Sequence, residues 1–293
     1  MVARFGDRVR AWATLNEPKV IAFVGHRDGR HAPGYRDERL AVQVSHSLLV
    51  AHGLAVQAMR AAQPGVDVGI VLDLWPIEVH AETAASRAAA RQAWQSAYAW
   101  FLDPLFRGQY PLEAWEAYGK NAPAVEADDL RLIAQPIDFL GVNSYSRELI
   151  DGAGRRVRRV PDAEYTDMGW EVHAPALRRL LNRLNDEYRL PPITITENGA
   201  AFKDNVEQDG RVRDPRRVSY LYEHIRQIRH AIEDGVDVRG YFAWSLLDNF
   251  EWGLGYSKRF GLIYVDYATQ RRILKDSALW YGEVIARNGL APA

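Results

Sequence analysis

Three stretches of this sequence end an apolar run in a glutamate set among polar or aromatic side chains: Asn16-Glu17-Pro18, Glu197-Asn198-Gly199, and the segment running from Trp244 to Glu251 and Trp252. Two carboxyl groups flanking one bond, one protonated and one ionised, meet the requirement of glycoside hydrolysis. At a separation of about 5–5.5 Å the ionised member attacks the sugar and configuration is retained; wider spacing admits water and inverts it. Closeness itself separates the roles, because a second negative charge in a small cavity raises the pKa of one member. The flat faces of Trp244 and Trp252, with the carboxylate of Glu251, suit a sugar ring with apolar C–H faces and hydroxyl edges. Asn16 offers an amide to a sugar hydroxyl, and Tyr145, following Asn143-Ser144, a phenol that can orient a carboxylate. Each residue also has a plainer reading. A glutamate after a strand is most often a helix N-terminal residue or a surface charge, a tryptophan on an apolar run is most often core, and Glu251 could serve a loop ion pair. Residue types and spacing leave both readings open.

The elements that must position these residues alternate strand and helix. Residues 12–15 read as a short strand stopped at Asn16-Glu17-Pro18, where the proline interrupts any further ladder. A loop rich in Gly, His and Pro follows at 25–34. Residues 38–62 repeat apolar side chains at helical spacing, and Pro64-Gly65 ends them. The remaining strands are predicted at 68–72, 137–142, 193–196 and 238–246, and the remaining helices at 84–101, 128–134, 175–188, 216–234 and 276–287. Residues 148–167, with four arginines between Arg155 and Arg159, read as an irregular, solvated excursion. Near-continuous apolar strands are buried on both faces, which implies a parallel sheet covered by helices, hence an α/β fold. No glycine-rich phosphate fingerprint follows any strand, against a nucleotide-binding doubly wound sheet. Polar residues gather at the carboxyl ends of successive strands, where a (β/α)8 TIM-type barrel builds its site. Five βα units fall short of the eight of a closed barrel. The expectation is one incomplete barrel domain over residues 1–293.

Composition narrows the chemistry. With 47% hydrophobic and 26% charged residues the chain is built to fold. Lys+Arg 37 against Asp+Glu 38 gives no basic excess for nucleic acid or an anionic membrane. Zero cysteines exclude disulfides, thiolate metal sites and cysteine nucleophiles, and fit the cytoplasm. Residues 1–10 hold no apolar core of signal-peptide length, and no uncharged apolar run approaches the ~20 residues of a membrane span. The eight histidines show no metal-ligand spacing and no Gly-x-Ser-x-Gly elbow occurs, so neither a metal, an organic cofactor nor a serine hydrolase is expected.

Trp12-Ala-Thr-Leu-Asn-Glu-Pro18, Ile193-Thr-Ile-Thr-Glu-Asn-Gly199 and Trp244-Ser-Leu-Leu-Asp-Asn-Phe-Glu-Trp252 closely resemble the signature segments of the β-glucosidases of glycoside hydrolase family 1. The resemblance continues through His31-Ala-Pro-Gly34, Asp138-Phe-Leu-Gly-Val-Asn143, Gly169-Trp170-Glu171 and Gly255-Tyr-Ser-Lys-Arg-Phe-Gly261, in the family's order and along essentially the whole chain. It implies a retaining β-glycosidase with Glu17 as general acid/base and Glu197 as nucleophile. Asn16 then matches the partner of the sugar's 2-hydroxyl, Tyr145 the residue that steadies the nucleophile, and Asn143 a support of that region. Trp244 matches the floor under the sugar, Glu251 and Trp252 its partners at the 4- and 6-hydroxyls, and Trp170 an aglycone-side wall. A carboxylate at Glu251 would repel a 6-phosphate, so the implied substrate is a non-phosphorylated β-glycoside.

The sequence departs from the family pattern at Ser144, where a tyrosine is common, at Lys19, where an aromatic is common, and at Ile273-Leu274-Lys275, in place of Thr-Pro-Lys. The family also places three βα units before the strand matching residues 12–15, so this chain is expected to correspond to strands 4 to 8. The alternative is therefore a non-catalytic fragment or subunit that self-associates, or takes up an N-terminal partner segment, through open barrel edges.

Overall fold

In the computed structural model, which describes residues 1–291, the apolar run before Glu17 forms strand β1 (Ala11–Asn16), preceded by a single helical turn α1 (Val2–Phe5). The described chain forms two compact units: residues 1–143, 148–157 and 184–194, and residues 144–147, 158–183 and 195–291.

In the first unit the long helix α2 (Glu38–Ala62) leads from β1 to strand β2 (Asp67–Asp73). The Asp37 side chain caps α2 by accepting the Leu40 N–H, satisfying one of the orphan donors of a helix start. Its buried face, including Ala41, Val42, Leu49 and Val56, packs inside the unit, and Gly53 passes so close to another segment that a Cβ there would lie 2.2 Å from the Leu132 carbonyl oxygen. At 25 residues, α2 is the one described helix long and apolar enough to cross a membrane, an exception to the sequence expectation. Its buried polar groups, however, are engaged by protein: Ser45 accepts from Trp100, and His46 lies against Tyr110 and Asp129.

Strand β3 (Ile77–Val79) and helix α3 (Ala84–Trp94) come next, and α3 runs through a π-helical turn, Gln95–Ala99, into α4 (Trp100–Arg107). The helix expected at 84–101 is thus longer and contains a wide turn. Helices α5 (Leu112–Tyr118) and α6 (Asp129–Ile133) lead to strand β4 (Phe139–Asn143). Residues 148–157 correct the expected irregular excursion. They contain strands β5 (Glu148–Ile150) and β6 (Arg156–Val157), and β5 is buried and pairs in parallel with β3. An amphipathic signal cannot show in three residues, which is why a strand this short was not legible. The expected loop at 25–34 likewise begins inside a π-helical segment, Val20–Arg27.

Helix α7 (Pro175–Glu187) and strand β7 (Ile193–Asn198) each run from one unit into the other. The second unit adds helix α8 (Pro215–Glu233), strand β8 (Val238–Ala243), the hairpin of β9 (Ile263–Val265) and β10 (Arg272–Leu274), and helix α9 (Asp276–Arg287). Its core gathers Ala200, Phe202, Tyr220, Leu221 and Leu262, with Tyr241, Trp280 and Tyr281 packed against them.

The main sheet is parallel with five strands in the order β1-β2-β4-β7-β8, the expected incomplete barrel. Register is explicit on its first side: Ala11 pairs with Asp67, Gly69 with Phe139 and Asp73 with Asn143. Strands β2 and β4 are buried almost throughout, as parallel strands covered on both faces must be, whereas edge strands β1 and β8 carry no fully buried residue.

Candidate active site

The first unit assembles Asn16, Glu17 and Asn143. The β1–β2 register shifts between Ala13 and Asn16, an irregularity of the kind that re-aims the residues after it. Glu17 follows with φ +50°, a left-handed conformation uncommon for any residue but glycine and costing roughly 1–2 kcal/mol. The backbone is pinned on both sides of this strain: the Glu17 N–H donates to the Val71 carbonyl at 2.9 Å, and the Glu17 carbonyl accepts from Val20 at 2.9 Å. Two residues on, the Lys19 ammonium lies 2.6 Å from the Asp73 carboxylate and 4.3 Å from the Tyr98 ring centroid. Burial pushes the Asp73 carboxyl up, and the charge of Lys19 opposes that shift. The family-atypical lysine therefore anchors the start of the helical segment after Glu17 to the end of β2. Asn143, expected to support the region around Tyr145, donates its amide to Glu17 Oε1 at 2.8 Å and to Asn16 Oδ1 at 3.1 Å. Because Asn16 presents its oxygen to Asn143, its Nδ2 is the end that can reach a further acceptor.

The second unit assembles Tyr145, Trp170, Glu197 and Glu251. The Tyr145 phenol donates to Glu197 Oε2 at 2.5 Å, the short contact of a hydroxyl on a carboxylate. The Tyr145 ring centroid lies 5.3 Å from that of Trp170 and 6.1 Å from that of Phe260, so the phenol is packed from two sides. Burial raises the pKa of Glu251, and the negative charge of Glu197 raises it further, so these two carboxyls share one electrostatic environment. Glu251 is fixed by its N–H on the Gly255 carbonyl at 2.7 Å, and Trp252, at φ +44° and 63% exposed, presents its indole to solvent. The Trp244 N–H donates to the Asn198 carbonyl at 2.9 Å, and Trp244 joins Ser245 by a cis peptide bond. A Cβ on Gly199 would lie 1.9 Å from the Trp244 carbonyl oxygen, which explains glycine in Glu197-Asn198-Gly199 as a close approach of two backbones.

Sequence reasoning missed what holds the loop carrying Glu251. Lys275, fully buried, donates to Asp204 at 2.6 Å and to Asp248 at 2.9 Å. Asp248 also accepts from Arg259 at 2.5 Å and from the Gly261 N–H at 2.9 Å. Arg217, 1% exposed, reaches Asp204 and Asp214 and donates to the carbonyls of Ala200 and Arg259. Three cations thus balance three carboxylates, and every one of these charges has a partner, as buried charges require. Asp248, Arg259 and Lys275 lie within the quoted motifs. The signal was the density of charge inside motif segments that otherwise read as apolar. No group of three or more His, Asp or Glu among the described residues could hold a metal ion.

Comparison with known proteins bears on both halves. The sequence profile of glycosyl hydrolase family 1 matches residues 1–290. Beta-glucosidase A of Thermotoga maritima is 46% identical over 98% of this chain, and Beta-glucosidase A of Acetivibrio thermocellus 43% identical over 97% of it. The chain spans 65% of the length of each. The solved family 1 β-glucosidase of Thermotoga maritima superposes with a TM-score of 0.95 over 99% of this chain and 67% of that one, and the same enzyme has been solved with deoxynojirimycin, TM-score 0.93.

Proposed function

This chain belongs to glycosyl hydrolase family 1, and from that premise we propose that it is a retaining β-glycosidase of the β-glucosidase type, acting on terminal, non-phosphorylated β-D-glycosides. Glu197 attacks the anomeric carbon while Glu17 protonates the departing oxygen; Glu17 then draws a proton from water, whose oxygen releases the sugar from Glu197. The observation that carries this reading is that each carboxyl is held at a strand end by a neutral donor: Glu197 accepts from the Tyr145 phenol at 2.5 Å and Glu17 from the Asn143 amide at 2.8 Å. Asn16 takes the 2-hydroxyl, Trp244 the sugar face, Glu251 and Trp252 the 4- and 6-hydroxyls, and Trp170 the aglycone side. Inhibitors of sugar-like shape bound by the Thermotoga maritima enzyme, deoxynojirimycin and glucoimidazole, accord with a glycoside substrate.

The test is turnover of an aryl β-glucoside by the purified chain, with the anomer of the first-formed sugar read by NMR. Glu197→Gly should abolish turnover. Glu17→Ala should lower the rate about 10²–10⁴-fold for a poor leaving group, and far less for a dinitrophenol that needs no proton. Equal losses on both leaving groups, or an inverted product, would refute the assignment. The poorly buried edge strands β1 and β8 favour a second reading, in which turnover appears only once a partner segment covers those edges.

A further inference from the structure

We propose that Tyr220, on α8, is a positioning residue for the nucleophile: its hydroxyl fixes the backbone of Tyr145 and, through it, the phenol that holds Glu197. The proposal rests on the assignment of Glu197 as the nucleophile. The Tyr220 hydroxyl donates to the Tyr145 carbonyl at 2.6 Å and accepts from Asn198 Nδ2 at 3.2 Å. The same Asn198 amide donates to the Ser144 carbonyl at 2.7 Å, and the Ser144 N–H donates to the Glu197 carbonyl at 3.0 Å. The carbonyls of Ser144 and Tyr145 are therefore tied to the strand bearing Glu197 and to the helix behind it. The far side is closed as well: Tyr241 donates to Asn198 Oδ1 at 2.8 Å, and Tyr281 to the Tyr241 carbonyl at 3.0 Å.

Tyr220 is 1% exposed and Asn198 fully buried, so no solvent competes for these bonds. Burial pushes the Tyr220 phenol well above its ordinary pKa, which keeps it a donor at any working pH. Its ring stacks on His224 at 3.9 Å, and the His224 Nδ1 lies 2.7 Å from the Tyr220 carbonyl, so ring and backbone are both held. A phenol aimed at a carboxylate needs its distance and angle fixed by a supporting layer. Trp170 and Phe260 pack the Tyr145 ring, and Tyr220 sets where that ring starts from.

The test reads the Glu197 carboxyl directly, by carbon-13 NMR titration of the glutamate-labelled full chain, with Glu197→Gln identifying its resonance. Tyr145→Phe removes the donor and should raise the Glu197 midpoint by about one pH unit or more. Tyr220→Phe should raise it by about half as much, and should add nothing in the Tyr145→Phe background, because Tyr220 acts only through that phenol. A Glu197 midpoint unmoved by Tyr220→Phe, or moved equally in both backgrounds, overturns the proposal. Should Tyr220→Phe fail to fold, Tyr241→Phe takes its place in the same cycle, with a smaller rise expected and the same two results overturning. The measurement needs no turnover, so loss of the glycosidase reading and loss of this inference are separate outcomes.

Discussion

At the scale of the residue, two glutamates in the same environment carry opposite demands. Glu251 holds a raised pKa through burial and through the charge of Glu197. Its folded value lies above its unfolded one, so its contribution to stability is present below the unfolded pKa and is lost as pH rises through the folded pKa. At neutral pH its ionised form is therefore a burden on the fold. Glu251→Gln should raise the Tm by about 1–2 °C at pH 7, with the difference disappearing near pH 4, while sugar affinity falls. Thermal unfolding of both proteins across that range checks it, and a lower Tm for the variant at pH 7 would contradict the account. This is the stability–function trade expected where charge is gathered for binding.

At the scale of the element, the loop from Trp244 to Gly261 is set by ions beneath it. Lys275 starts the segment leading into α9 yet neutralises Asp248 of the loop and Asp204 beyond β7. Lys275→Met would leave both carboxylates short of a cation, and breaking a buried pair in this way costs about 3–5 kcal/mol. The loss should appear as a lower urea midpoint. A change under about 1 kcal/mol would show that the network, like a surface pair, contributes little. The Lys19–Asp73 pair does similar work near Glu17, tying the helical turn that follows this strained residue to a strand end.

At the scale of the whole molecule, each unit carries a buried histidine that reports on acid. Burial holds His52 at about 4 and His224 at about 4, against 6.5 for a free side chain. Both are neutral when folded and take a proton on unfolding, so the stability they confer is intact above about 6.5 and is lost as pH falls toward 4. Two such protons give a slope of roughly 2.7 kcal/mol per pH unit within that window. Urea midpoints between pH 7 and 4.5 measure this, and a flat profile would contradict it. The edges of the main sheet make a second prediction. Phe242 on β8 is 61% exposed on an edge strand, the arrangement that invites pairing with another chain. The apparent mass in solution should exceed 33.2 kDa and grow with concentration, and Phe242→Lys should reduce it. A concentration-independent monomer would remove the case for edge pairing.

Legible in the sequence alone were the five parallel strands of the main sheet, the long helices between and after them, and the glutamates that end two of the strands. These depend on local periodicity and on motif residues adjacent in the chain, and a linear reading captures both. The sequence did not reveal β3, β5, β6, β9 and β10, two or three residues each and too short for any pattern, nor the ion network, whose members lie up to 71 residues apart between Asp204 and Lys275. The left-handed backbone at Glu17 was likewise invisible, because Glu-Pro names a break in the ladder without saying how the chain turns. Gly199 shows the division most sharply. Its place after Glu197-Asn198 was readable as a motif, but only the fold brings the Trp244 carbonyl so close that no side chain fits. Propensity and pattern act over a few residues; desolvated charge, strain and backbone approach are settled by neighbours that the chain supplies from afar.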